Sequence, residues 1–310
     1  MHALPFLLAL LSAAVLAPAV LHSLQAGDHT RPNYRERPLP FPFGVLIVDA
    51  ALIALLPLVL LARLAGSEVF HPELLPIALY ARGVAMLGLI DDTLGEARAR
   101  PLGAGGGPGD FGALGASESP DARGELSRST RPAPRGWRGH ARAALRGELS
   151  TGTLKAAGSL GLALFAMSFE GLSKPRWLLA VGVLVLATNA FNLLDLRPGR
   201  AIKAFVLLGA GLTLGSLDAR PLWSLGLFAA PALVAGLYDL RERAMLGDTG
   251  ANLLGALAGL WLVLTLSGTG QLVALGLLAA VTVYGELRSI SGFIERTPGL
   301  RALDSWGRPS

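Results

Sequence analysis

The chain has 310 residues, of which 52% are hydrophobic and only 16% charged, against about 25% charged in soluble domains. A water-soluble globule is therefore the poorer reading. Lys and Arg outnumber Asp and Glu by 27 to 22, and the pI near 10.1 would suit nucleic acid, but a mean hydropathy of +0.52 makes the placement of the basic residues the first question. The absence of Cys excludes disulfides, thiolate metal sites and a thiol nucleophile.

A bilayer-crossing helix needs about 20 mostly apolar residues. Nine stretches qualify in chain order: 3–24, 44–65, 73–91, 155–170, 176–194, 201–217, 220–238, 250–267 and 270–288. The expected fold is all-α, a polytopic membrane bundle of about nine transmembrane helices forming one domain over 1–310. Nine spans leave the termini on opposite sides. The loops then form two groups, one holding 25–43, 92–154, 195–200, 239–249 and the tail after Leu287, the other holding turns near 66–72, 171–175, 218 and 268. Of the 27 Lys and Arg, all but Arg63, Arg82, Lys174, Arg176 and Arg220 fall in the first group, counting Lys155 and Lys203 at span edges. The positive-inside rule puts that group in the cytoplasm, with the N-terminus outside and the C-terminus inside. For the first span a cleaved signal peptide competes, with Ala17-Pro18-Ala19 as its cleavage site. The lack of Lys or Arg before Arg31 and the long apolar run favour a retained span.

From Pro101 to Arg135 the composition is Gly, Pro, Ser and Arg, as in GAGGGPGD and SRSTRPAPRG. It reads as a flexible cytoplasmic insertion, a solvated tether rather than a nucleic-acid arm or an anionic-lipid patch. GWRGHARAALRGEL, which follows, alternates basic and apolar residues like a short interfacial helix. The tail at 289–310 carries Phe293, Ile294, Leu300, Leu303 and Trp306 among basic residues, an amphipathic cytoplasmic cap.

The informative residues are acids at the ends of inward-running helices. Asp91 and Asp92 end the third span in GLIDDTLG, Asp195 ends the fifth in NAFNLLDLRPGR, and Asp239 ends the seventh in GLYDLRER. A helix C-terminus carries about half a negative charge, which disfavours Asp by up to roughly 1 kcal/mol unless a cation is near. Three such ends argue for a bound cation. Asp248 lies at the same depth between Gly247 and Gly250 in MLGDTGANLLG. Oxygen ligands without Cys or paired His suit Mg²⁺, with Mn²⁺ as its substitute, sharing its shell with water and substrate phosphates. Lys155 opens the fourth span in STGTLKAAGS, where a helix N-terminus favours anions. The competing reading, Asp and Lys as headgroup anchors, fits any single residue better than the whole set. Deeper, Asp49 and Arg82 lie within spans, where an ionisable group demands a partner. They are read either as a structural pair or with Arg82 facing a lipid or substrate phosphate.

GLIDDTLG, NAFNLLD and MLGDTGANLLG together resemble the aspartate doublet, the Asn-Ala-x-Asn-x-x-Asp motif and the Gly-Asp-Thr-Gly loop of the polyprenyl-phosphate N-acetylhexosamine-1-phosphate transferases, the superfamily that includes phospho-N-acetylmuramoyl-pentapeptide transferase. Order and spacing agree from the first span to residue 288, and RPLPFPFG resembles the family's entry to the second helix. The resemblance implies transfer of a sugar 1-phosphate from a uridine diphosphate sugar to polyprenyl phosphate at the cytoplasmic face of the cell membrane, releasing UMP, in envelope glycan synthesis. It implies that Asp248 binds Mg²⁺, that Asp91 and Asp92 handle the lipid phosphate or help hold the metal, with Asp92 beside Asp248 as ligands, and that Lys155 lies by the phosphates. Asn189, Asn192 and Asp195 would contact the nucleotide sugar.

The departures carry weight. The second Asp of the fifth-span motif is replaced by Pro198, and the aromatic residue three before the loop Asp is Met245. The family's His-rich loop and tenth span have no counterpart in the tail SGFIERTPGLRALDSWGRPS. A pentapeptide substrate is therefore disfavoured and uridine is in doubt. Arg197 and Arg200 either bind diphosphate in compensation or follow the positive-inside bias. Two other classes compete: an ion or lipid transporter using Asp49 and Arg82, and a catalytically silent scaffold. Transporter sites lie near the midplane, whereas these acids cluster at one face. Small-residue runs such as GALAG serve within a fold or between subunits, which leaves a homodimer open.

Overall fold

The computed structural model describes residues 2–66, 69–70, 74–99 and 151–309. The 101–135 insertion and the basic segment after it lie outside the described residues. Among these described residues the architecture is all-helical apart from one short strand pair. In order the elements are α1 (Leu4–Ala26), β1 (Thr30–Pro32), β2 (Pro38–Pro40), α2 (Val45–Leu64), α3 (Leu74–Ala99), α4 (Thr151–Met167), α5 (Lys174–Leu194) and α6 (Arg200–Ser216). They continue with α7 (Arg220–Ser224), α8 (Gly226–Leu240), α9 (Gly247–Thr265), α10 (Gly268–Leu287), α11 (Ile290–Arg296) and α12 (Pro298–Ser305).

Among the described residues six helices, α1, α2, the 74–94 part of α3, α5, α9 and α10, are long and apolar enough to cross a bilayer, while α4 and α8 are apolar but shorter. The expected seventh span is broken at Leu225 into α7 and α8. Pro221 supplies a helix start where no amide donor is needed.

The bundle is organised around α9, which is buried on every side from Thr249 to Leu262. It packs chiefly between α5 and α3, with α6, α8 and α2 completing the surround. In lipid there is no hydrophobic drive between helices, so close packing of small residues must supply the attraction. The sequence provides it: a Cβ on Gly255 would stand 2.6 Å from the Thr188 Cα, so α5 and α9 meet nearly backbone to backbone. Elsewhere Ala9, Ala13 and Ala17, one turn apart on α1, are wholly buried, on the helix that packs against α8 and α2. At the far end of that contact Phe6 meets Trp223 edge to face at 5.9 Å.

The opposite faces of the outer helices remain apolar and exposed, as Leu56, Leu75, Leu79 and Leu277 show, which is what lipid contact requires. Asp49 and Arg82 belong to these exposed faces, and no ion pair joins them. The expected pairing within the chain is not formed, because each residue points outward from its own helix, and α2 and α3 touch only slightly.

Candidate active site at one end of the bundle

The site is built on the N-terminus of α9. The strand pair, in a stretch expected to be a loop, leads into a segment that reaches across to the residues before α9. Met245 N donates to Pro40 O at 2.9 Å, Phe43 N to Met245 O at 2.7 Å and Gly44 N to Leu246 O at 2.9 Å. This zipper fixes where α9 begins. Gly247 then turns with φ +71°, and a Cβ there would meet the Asp92 carboxylate and the Phe41 ring, each at 2.8 Å. Only Gly combines that backbone with that crowding.

Asp92 closes the helix end. Its carboxylate accepts from Asp248 N at 2.9 Å, Thr249 N at 2.9 Å and the Thr249 hydroxyl at 2.6 Å. Free amides and the positive end of the helix dipole are thus satisfied by an acid from another helix. Asp92 itself is buried. Of the two expected metal ligands, Asp92 thus gives both oxygens to the start of α9, while Asp248 turns to Lys155.

The adjacent Asp91 takes a different role. The Lys155 ammonium lies 3.6 Å from Asp91 and is hydrogen-bonded directly to Asp248. The two carboxylates, themselves side by side, therefore share one cation contributed by the first turns of α4. All three side chains are partly open to the outside of the bundle, at 25% exposure for Asp91, 32% for Asp248 and 15% for Lys155. An incoming charged group can reach them. Asp195, at the C-terminal end of α5, is close enough to feel Asp239, Asp248, Asp92 and Lys155. Burial first, and then the Asp239 charge, hold its carboxyl well above the ordinary carboxylate range against the pull of Lys155.

The remaining expected residues divide. Asn189 turns toward α10, where its amide donates to the Thr282 hydroxyl at 3.3 Å, so it links helices. Asn192 lies one turn inside Asp195 and is half-buried. Arg197 stacks on the Tyr34 ring at 5.2 Å and is hydrogen-bonded to Glu295 of α11. Arg200 is buried in a bidentate pair with Asp304 at 2.6 and 3.0 Å and also donates to the Ser291 hydroxyl at 2.7 Å. Of the two readings of Arg200, compensation for a lost diphosphate contact does not fit, because its fork is filled by the C-terminal tail. Asp239 likewise accepts from Gly199 N at 2.7 Å. Its place at a helix end is explained by that backbone amide, without a bound cation.

The tail is anchored, not loose. Lys203 donates to Leu303 O and Asp304 O at 2.9 and 2.7 Å, and Arg308 to Asp304 at 2.6 Å and Pro198 O at 2.8 Å. Burial tends to raise the Asp304 carboxyl, but the hydrogen bonds and charges of Arg200 and Arg308 outweigh it and hold the group below its usual range.

Sequence reasoning missed several residues here. Glu242, at φ 52°, is buried and accepts from Tyr34 at 3.2 Å and Asn33 at 3.4 Å, and nothing in RERAML marks it. Asn252 was detectable: it follows Asp248 by four residues, hence shares its helix face. Both its amide atoms are buried with no hydrogen-bond partner among the described residues.

Among the described residues no cluster of three His, Asp or Glu is arranged to hold a metal ion. The donor set is two converging carboxylates, Asp91 and Asp248, which fits a Mg²⁺ that takes one or two protein carboxylates and completes its shell with water and phosphate oxygens. No protein-family model matches the chain, and no curated protein matches it.

Proposed function

We propose that the chain is a polytopic membrane transferase that moves a sugar 1-phosphate, N-acetylhexosamine 1-phosphate in the leading reading, from a uridine diphosphate sugar to polyprenyl phosphate. In this reading the bundle crosses the cell membrane nine times, with the N-terminus outside and the carboxylate end in the cytoplasm. The observation that carries it is the trio of Asp91, Lys155 and Asp248, partly open to the outside of the bundle beside the start of α9. Two carboxylates about one ammonium are what a diphosphate and its counter-ion require.

The chemistry follows from those groups. An oxygen of the acceptor lipid phosphate forms a bond to the phosphorus bearing the sugar. The bond from that phosphorus to the bridging oxygen breaks, and UMP departs with the bridging oxygen and its electron pair. Asp91 and Asp248 would hold a Mg²⁺, which would supply neutralisation of the diphosphate charge. Lys155 would offer its ammonium to phosphate oxygens beside these carboxylates. Asp92 keeps the α9 amides in register, and Asp195 with Asn192 lines the side of the site toward α5. An amphiphilic acceptor explains why these groups lie at one end of apolar helices.

Transfer of radiolabelled sugar from a nucleotide sugar to polyprenyl phosphate by the purified protein, with Asp248→Asn alongside, tests the reading. A lipid-linked product that Asp248→Asn abolishes supports it. Absence of product with every common nucleotide sugar, from protein that remains folded, refutes it in favour of a silent scaffold or a transporter.

A further inference from the structure

Among the described residues, Asp195 alone of the site's acids is left without a matching group. Asp91 and Asp248 share Lys155, Asp92 takes the α9 amides, and Asp239 takes Gly199 N. No hydrogen bond or ion pair reaches the Asp195 side chain from any described residue. Lys155 is near enough for its charge to be felt, but its ammonium is held by the other two carboxylates. Asp195 also caps the C-terminal end of α5, where the helix dipole adds about half a negative charge.

A second unmatched group faces it. Asn252 is 1% exposed, and both atoms of its amide are buried without a hydrogen-bond partner among the described residues, a costly state that calls for a water or an ion. The contacts of α9 with α5 show where this amide points. A Cβ on Gly259 would meet the Leu184 Cα at 3.0 Å, and one on Gly255 the Thr188 Cα at 2.6 Å and the Phe191 Cβ at 3.0 Å. The two helices therefore run antiparallel in step, four residues for four. Asn252 shares the face of Gly255 and Gly259, so it meets α5 one turn further on, between Phe191 and Asp195. Helical side chains lean toward the N-terminus of their own helix, which on α9 is the Asp248 end. Asp195 feels the charge of Asp248, as this register requires. Asn192, one turn before Asp195 on α5, has no side-chain hydrogen bond among the described residues either.

We propose that Asp195, Asn252 and Asn192 bind a monovalent alkali cation, Na⁺ or K⁺, between the C-terminal end of α5 and the first turns of α9, separate from the Mg²⁺ proposed at Asp91 and Asp248. Charge and hydration choose the ion. One carboxylate with two neutral amide oxygens leaves a single negative charge to balance. Mg²⁺ gives up water reluctantly and keeps several waters when bound, whereas solvent does not reach the Asn252 amide. A bridging water would serve the amide but leave the buried carboxylate charge uncompensated. Helix C-terminal ends and backbone carbonyl oxygens coordinate Na⁺ in other membrane bundles. Here the cation would fasten α5 to α9 one turn from Asp248. The inference does not rest on the transferase reading, because its test reads ion binding and stability alone.

The test is binding of radioactive sodium, and of radioactive rubidium in place of K⁺, to the full purified chain in nonionic micelles with a divalent chelator, choline replacing the ion at constant ionic strength. Binding should saturate at one ion per chain. Asn252→Leu and Asp195→Asn should each weaken it at least tenfold, since even outer-shell changes at metal sites cost about 10–100-fold. Thermal unfolding adds a readout that a merely structural amide would not give. In choline, Asn252→Leu should be at least as stable as the parent, because an unpartnered buried amide is gone; in Na⁺ or K⁺ the parent should be the more stable. No saturable binding above the choline background, or binding equal to the parent's in either variant, would overturn the proposal. So would loss of the ion in Asp248→Asn together with its retention in Asn252→Leu, since the ion would then belong to the Asp91 and Asp248 pair.

Discussion

Replacing Asp92 by Asn changes one atom and separates the two acids of the doublet. The carboxylate accepts three hydrogen bonds at the start of α9, two of them from backbone amides that are otherwise orphaned at a helix N-terminus. An Asn amide keeps one acceptor and turns an NH₂ toward an N–H. A capping side chain is worth about 0.5–2 kcal/mol and a hydrogen bond to a charged group about 1.5–3 kcal/mol. These contributions overlap, so the expected loss is about 3 kcal/mol rather than their sum. Asp248→Asn is the comparison, because the Asp248 carboxylate bonds Lys155 and Lys155 retains Asp91. Its stability should change by no more than about 1 kcal/mol, as for a partly exposed pair. Equilibrium unfolding in mixed micelles of increasing SDS content reads both. An Asp92→Asn protein as stable as the parent, or no less stable than Asp248→Asn, would refute the assignment of Asp92 to helix capping.

Further expectations follow from neighbouring contacts. Lys155→Met should keep the fold yet reduce sugar-phosphate transfer by about 10²-fold or more, read as turnover on polyprenyl phosphate; retained turnover would remove Lys155 from the site. Arg200→Ala breaks a buried bidentate pair and should cost about 3–5 kcal/mol in the same unfolding assay. A nearly neutral effect on stability with a raised KM for nucleotide sugar would reinstate Arg200 as a phosphate ligand. Because the folded Asp304 carboxyl is held below its usual range, the stability it contributes is complete above the ordinary carboxylate pKa and is lost as pH falls through the lowered folded value. A nitroxide on Trp306→Cys, in a chain with no other Cys, should therefore stay immobile through mild acid and loosen only below the usual carboxylate range. Loosening near neutrality would contradict this. Gly255→Ala, with its Cβ 2.6 Å from the Thr188 Cα, should cost about 1–3 kcal/mol by overpacking, read as an earlier unfolding midpoint.

The sequence by itself determined that the chain is a bundle of apolar helices with acids gathered at one end. Hydrophobic run length is set by bilayer thickness, and an Asp at a helix end stands out against an apolar background, so both can be read one segment at a time. It also brought Asp91, Lys155 and Asp248 forward as one group. The structure alone separated the near-identical neighbours Asp91 and Asp92. Consecutive residues on a helix point about 100° apart, so one faces Lys155 and the other the α9 amides, and no local rule says which. The same holds for Arg197 and Arg200, whose partners Glu295 and Asp304 are about a hundred residues away, and for Glu242, whose partners Asn33 and Tyr34 come from the turn between two strands too short to leave a periodic signal. Charges buried on folding choose partners by three-dimensional proximity. Asp49 and Arg82 are the converse case: their type and depth were legible in the sequence, and only the packing of α2 and α3 showed that both face outward.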